Sequence, residues 1–241
     1  MLLRWPIWLS DSLKWLPTLP SQCLACHAWP SGDILCRNCW QHAQTPTFRC
    51  SGCALALPGL GPQQPRCGAC LRSPPLWQHA HAWVDYHYPW NTFITRWKFG
   101  QEPALAQHFA RWMGQDPQIQ AALHAADVVV SIPLSAQRLR ERGYNPAAQL
   151  ARQLATDRYR AHALVRNRHT APQSDLPRAL RLRNVRHAFE VPATQRHHIT
   201  GQRVLVMDDV MTTGATCTVA SRVLLEAGAA HVQVLCMART P

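Results

Sequence analysis

Eight of the ten cysteines lie between residues 23 and 70, in four C-x-x-C pairs: Cys23/Cys26, Cys36/Cys39, Cys50/Cys53 and Cys67/Cys70. A two-residue gap lets both thiolates of a pair turn onto one tetrahedral Zn²⁺, and two pairs complete a closed structural site. Consecutive pairing puts Cys23, Cys26, Cys36 and Cys39 on one ion and Cys50, Cys53, Cys67 and Cys70 on the other, with nine residues (27–35) and thirteen residues (54–66) between pairs. An interleaved arrangement, first pair with third and second with fourth, fits the spacing too. A segment of about 50 residues buries little core, so the metal takes over that role and is structural, not catalytic. A disulfide framework would need an oxidising compartment, and a thioredoxin-like role would need a strand–helix pattern around the motif. With two complete thiolate sites available, His27, His42, His79, His81 and His87 are expected to be surface or linker residues.

Residues 1–20 read as a leader ahead of a cysteine-rich domain of residues 21–75. Arg4, Pro6, Asp11 and Lys14 interrupt any apolar run of signal-peptide length. Trp5, Trp8, Leu9, Leu13 and Leu16 have the spacing of a short amphipathic face, expected to pack on the protein itself. No stretch approaches the ~20 apolar residues of a membrane-spanning helix. The charge is lopsided: 25 Lys and Arg against 13 Asp and Glu, a net +12, and 23 of the cations are Arg. A planar guanidinium matches phosphate, so polyanions are the natural partners, although codon preference alone can also enrich Arg. The segment Arg138–Arg203 holds 14 Arg and no Lys against four acids, Glu141, Asp157, Asp175 and Glu190.

Residues 76–241 alternate between short apolar runs and helical spacing, which implies an α/β domain with a parallel sheet flanked by helices. Ala126–Ile132 reads as a buried strand stopped by Pro133, with a helix after it, and Asn145–Ala155 as a further helix. Ala163, Leu164 and Val165 suggest another strand. Val204–Met207 forms a strand with Asp208 and Asp209 at its carboxyl end. Thr212, Thr213, Gly214, Ala215 and Thr216 lead from there into a helix carrying Val219, Val223, Leu224 and Leu225. Ligands of open α/β sheets bind at carboxyl strand ends, and a helix N-terminus flanked by hydroxyls receives phosphate. Paired carboxylates beside it suit ribose hydroxyls or a bound Mg²⁺. No G-x-x-x-x-G-K-[ST] occurs, so the site is not a P-loop. Cys217 and Cys236 are expected to be buried packing residues.

The window Val204–Thr216 resembles the phosphoribosyl pyrophosphate signature of type I phosphoribosyltransferases. That resemblance gives Asp208 and Asp209 the ribose hydroxyls, and Thr212, Thr213, Gly214, Ala215 and Thr216 the 5′-phosphate. It also likens Arg166–Ser174 to a flexible loop over the pyrophosphate, with Arg166 and Arg168 either stabilising the leaving group or forming part of a DNA-binding face. Ser131–Leu134 would be the pyrophosphate loop, or simply a strand-end turn. With the cysteine pairs ahead of it, and with Trp97-Lys98-Phe99-Gly100 and Arg142-Gly143-Tyr144-Asn145, the chain resembles the ComF family, most closely its GntX branch. The resemblance implies a cytoplasmic protein of competence, DNA uptake or utilisation of external DNA. It further implies two structural Zn²⁺, Mg²⁺ with phosphoribosyl pyrophosphate or a related sugar-phosphate, single-stranded DNA, and DNA-uptake partner proteins. The alternatives are an active phosphoribosyltransferase of nucleotide metabolism and a zinc-ribbon adaptor with a degenerate ligand site. No base-selecting hood is recognisable, and the ribbons occupy its N-terminal place.

Overall fold

The computed structural model describes residues 21–44, 47–57, 66–166 and 188–241. The leader expected over residues 1–20, and Arg168 with the loop expected beyond it, lie outside them. The chain separates into two compact units, one ending at residue 46 and one running from Thr47 to Pro241. The first cysteine quartet belongs to the smaller unit. The second belongs with the α/β part, whereas the expected division fell at residue 75.

In the smaller unit, Ser21 and Ser31 form an antiparallel bridge, and helix α1 (Arg37–Ala43) starts on Cys36, whose sulfur accepts the Cys39 amide. The larger unit opens with a knuckle closed by an Arg49–Ala56 bridge and a short helix α2 (Gly68–Arg72). Then follow β1 (His79–Asp85), α3 (Trp90–Phe99), α4 (Leu105–Met113), α5 (Pro117–Ala125), β2 (Val128–Ser131), α6 (Ala136–Arg142), α7 (Pro146–Leu154) and β3 (Val165–Arg166). After the undescribed stretch come β4 (Phe189–Glu190), a 3₁₀ segment (Ala193–His198), β5 (Arg203–Met211), α8 (Ala215–Glu226) and β6 (His231–Arg239).

The main sheet has the order β1-β6-β5-β2, and all its pairs are parallel. Its strands are continuous Val/Leu/Met runs because both faces are covered. Alternation sends Val128, Val130, Val204, Val206, Val232 and Val234 into one core with Val219, Ala220 and Leu224 of α8. Against the opposite face lies α7, which buries Leu150 and Ala151. Helix caps fit the sequence: Asp116 with Pro117 opens α5, and Asn145 with Pro146 opens α7.

Two expected strands change extent. Strand β5 runs on to Met211, carrying both acids inside it, because β6 continues alongside and pairs Asp208 with Cys236 and Val210 with Ala238. On its other side β2 ends opposite Met207, so the acids sit on a strand with one neighbour and one open edge. The run Ala163–Val165 gives only a two-residue pairing of Val165–Arg166 with β4, since Ala163 and Leu164 are fully buried in the core instead. His79 and His81 are not linker residues. They stand in β1 with rings stacked at 4.4 Å, and burial lowers His81 to about 4.

Candidate functional site

The sulfur atoms settle the pairing: Cys23, Cys26, Cys36 and Cys39 lie within 4.8 Å of one another, and so do Cys50, Cys53, Cys67 and Cys70. Cys26 Sγ is 3.7 Å from Cys36 Sγ, and Cys53 Sγ is 3.6 Å from Cys67 Sγ. Those separations fit the edge of a tetrahedron with ~2.3 Å metal–sulfur bonds, about 3.8 Å, and far exceed a disulfide. Backbone amides aim at the sulfurs, with Cys36 N donating to Cys23 Sγ at 3.3 Å and Cys67 N to Cys50 Sγ at 3.1 Å. Burial opposes ionisation at Cys23 and Cys50, yet these amides outweigh it and bring the thiols down to about 6 and about 7. Cys39 and Cys70 are pushed well up by burial and by their neighbouring sulfurs. Four thiols sharing so small a volume cannot all be anionic without a cation, and tetrathiolate chemistry suits Zn²⁺.

The second site is a corner turned by β5. Gly214 has φ +74° and caps α8, so the chain reverses from strand to helix in one residue open to the left-handed region. Thr212, Thr213, Ala215 and Thr216 are exposed around it, and the first-turn amides of this twelve-residue helix have no intrahelical acceptor. Thr213 Oγ1 accepts the Ala215 amide at 3.3 Å. Asp208 Oδ1 accepts from the Asp209 amide at 2.8 Å, and the Cys217 thiol donates to Asp208 Oδ2 at 3.7 Å. Burial, followed by repulsion from Asp209, raises the Asp208 carboxyl to about 7. Cys217 and Cys236 are fully buried, as expected.

Asp209 is paired. Lys98 Nζ lies 2.9 Å from its Oδ2, and Arg142 Nη1 approaches the same oxygen at 3.9 Å. The sequence reading used both cations only as parts of family-marking motifs, and the geometry shows what each motif builds. Trp97 anchors the end of α3: its ring is buried edge-on to Phe109 at 5.2 Å, and its Nε1 donates to Gln149 Oε1 at 2.8 Å. Gly100 ends the helix, where a Cβ would lie 2.7 Å from the Arg96 carbonyl. Lys98 is thereby presented to Asp209. In the second motif Gly143, at φ +79°, closes α6 behind Arg142. The Tyr144 hydroxyl donates to the Trp97 carbonyl. Asn145 donates to the Ile132 carbonyl at 2.9 Å while capping α7. Residues 111 and 67 positions away in sequence thus wall one carboxylate.

Ser131 is buried, with its hydroxyl 2.9 Å from the Tyr159 hydroxyl, so at Ser131–Leu134 it is the turn after β2 that borders the acids. Arg166 is the last residue of β3, its guanidinium 5.6 Å from the Phe189 ring centroid. Burial and the nearby Arg138 both lower its proton affinity.

Residues 123–241 match the phosphoribosyl transferase domain model. The DNA utilization protein YhgH of Escherichia coli is 34% identical over 236 residues, covering 95% of this chain and 97% of that one. Competence protein F of Haemophilus influenzae is 28% identical and covers 85% of this chain and 90% of its own length. The chain belongs to the ComF family. A third member, competence protein ComFC of Bacillus subtilis, is 40% identical over 103 residues, which is 43% of this chain and 40% of that protein. The domain match includes the corner at Gly214 but begins after Lys98, so the cationic wall on α3 lies outside the part that marks the fold.

Proposed function

We propose that the larger unit binds a 5-phosphoribosyl group, as phosphoribosyl pyrophosphate or a nucleotide's sugar-phosphate, and that the protein uses this site while handling single-stranded DNA in the cytoplasm during uptake or utilisation of external DNA. The observation that carries the proposal is the corner of β5 and α8. Exposed threonine hydroxyls and helix-start amides lie beside two acids at the open edge of a parallel sheet, in a chain whose relatives are named for DNA utilisation and competence. The Thr212–Thr216 loop takes the 5′-phosphate, which needs only donors. Asp208 and Asp209 accept from the ribose hydroxyls. Lys98 holds Asp209 ionised and oriented, and with Arg142 supplies positive charge for a pyrophosphate. Mg²⁺ bound with such a ligand bridges phosphate and ribose oxygens and offsets their charge. The exposed arginines of α6 and the Arg-rich segment behind it serve the DNA, and partner proteins of uptake bring the strand to them.

Calorimetry with phosphoribosyl pyrophosphate and Mg²⁺ tests this on the zinc-loaded protein and on the double variant Asp208→Asn/Asp209→Asn. Heat of binding in the native protein, lost in the variant while its thermal unfolding is retained, is the expected result. Equal binding by both proteins would remove the acids from the site.

A further inference from the structure

Phe99 is 70% exposed. Its helix, α3, buries Trp90, Phe93, Ile94 and Trp97 on one stripe, and Phe99 falls off that stripe, so core packing does not account for its ring. Single apolar residues on a surface are ordinary, but this one has a particular setting. The guanidinium of Arg142 lies over the ring, 4.9 Å from its centroid. The same Arg142 reaches toward Asp209, and the residue next to Phe99, Lys98, is bonded to Asp209. The ring is thus backed by a cation on one face, open to solvent on the other, and tied through both neighbours to the carboxylate assigned to a ribose. Arg138 and Arg140 add exposed charge on α6, a helix that buries none of its residues.

We propose that the open face of Phe99 is a stacking platform for a nucleobase, with Arg142 holding the ring from behind and the sugar-phosphate extending toward Asp209 and the β5–α8 corner. A base stacks on an aromatic face without regard to its identity. The cation behind the ring fixes its orientation through attraction to the π face. The ligand chemistry is an aromatic base joined to a sugar-phosphate, supplied either by a mononucleotide or by a DNA strand. The inference builds on the sugar-phosphate reading above and names the base as the further group recognised.

The test uses full-length zinc-loaded protein, Phe99→Leu and Phe99→Tyr. Four ligands are titrated: phosphoribosyl pyrophosphate, adenosine 5′-monophosphate, an oligothymidylate and an abasic strand of the same length. Because the ring is so exposed, thermal unfolding of both variants stays near the native value. Loss of the π face in Phe99→Leu weakens a base-bearing ligand by about tenfold or more, leaves the two baseless ligands within about twofold, and is reversed in Phe99→Tyr. A loss in the nucleotide arm identifies a mononucleotide as the source, and a loss confined to the oligothymidylate identifies a strand. Binding of all four ligands unchanged in Phe99→Leu, or weakened equally for all four, overturns the platform and leaves the sugar-phosphate site standing. Conversely, base-bearing ligands that depend on Phe99 while phosphoribosyl pyrophosphate fails to bind the native protein would support the platform and defeat the sugar-phosphate reading. No binding of any ligand overturns both.

Discussion

Gly214 carries two requirements at once. Its φ of +74° is strained for any residue with a Cβ, and that Cβ would sit 3.2 Å from Trp77 Cη2. Gly214→Ala should therefore lower unfolding free energy by about 1–3 kcal/mol in denaturant titration and weaken phosphate binding, since the corner would have to open. A change within error would mean the corner relaxes freely. Asp208 gives a pH signature. Its carboxyl sits at about 7 in the fold against 3.8 when unperturbed, so between these values the folded state holds a proton that the unfolded chain has lost. Stability then falls as pH rises from about 4 to about 7. Asp209, Lys98, Cys217 and Cys236 face or influence this group, and the fall should flatten in Asp208→Asn when thermal midpoints are followed across that window. The acids and the threonine loop were legible in the sequence because their chemistry is local and ordered along one strand–turn–helix. Lys98 was not, because an ion pair across 111 residues leaves no local pattern, and its motif could be read only as a mark of kinship.

At the level of elements, the second cysteine knuckle is joined to the ligand corner. Trp77 Nε1 donates to the Gly52 carbonyl at 2.6 Å, and the same ring closes on Gly214. Arg239, buried at the end of β6, donates to the Cys53 carbonyl at 2.8 Å and to the Met211 carbonyl at 3.3 Å. Gly52 itself has no room for a side chain, since a Cβ would lie 2.9 Å from Cys70 Sγ. The carbonyls that hold Trp77 and Arg239 are thus fixed by the thiolate cluster. Replacing Cys50 and Cys53 with Ser should lower the melting temperature of the larger unit and weaken phosphoribosyl pyrophosphate binding. Replacing Cys23 and Cys26, which belong to the other compact unit, should leave both nearly unchanged, as scanning calorimetry with parallel ligand titration would show. Equal effects of the two double variants would refute this division of labour. The four pairs announced metal sites, but spacing admitted two pairings. The choice rests on amides of Cys36 and Cys67 that turn toward Cys23 and Cys50, a feature of loop conformation with no composition to mark it. The knuckle's attachment to β5 and β6 was equally hidden, since it runs through backbone carbonyls.

For the whole molecule the decisive quantity is charge. A net +12, with 14 arginines between Arg138 and Arg203, produces a field that a small ligand and a polyanion sense differently. A small ligand is held at the corner by a fixed set of hydrogen bonds, and added salt screens only its own few charges. A DNA strand sheds condensed counterions along every phosphate the protein neutralises, and its affinity falls with salt at a logarithmic slope near −0.7 per phosphate. If about six phosphates are engaged, single-strand affinity should drop roughly 300-fold between 50 and 200 mM salt. Phosphoribosyl pyrophosphate affinity should change far less over the same range. Substituting Arg138 and Arg140 on α6, whose side chains are exposed, should reduce the strand's slope by about one unit and leave ligand binding at the corner intact. A strand slope near zero would show that the arginines do not lie along the nucleic acid. A corner affinity that fell together with the slope would show that strand and sugar-phosphate share one set of contacts, and the two roles would then be a single site occupied by the end of a strand.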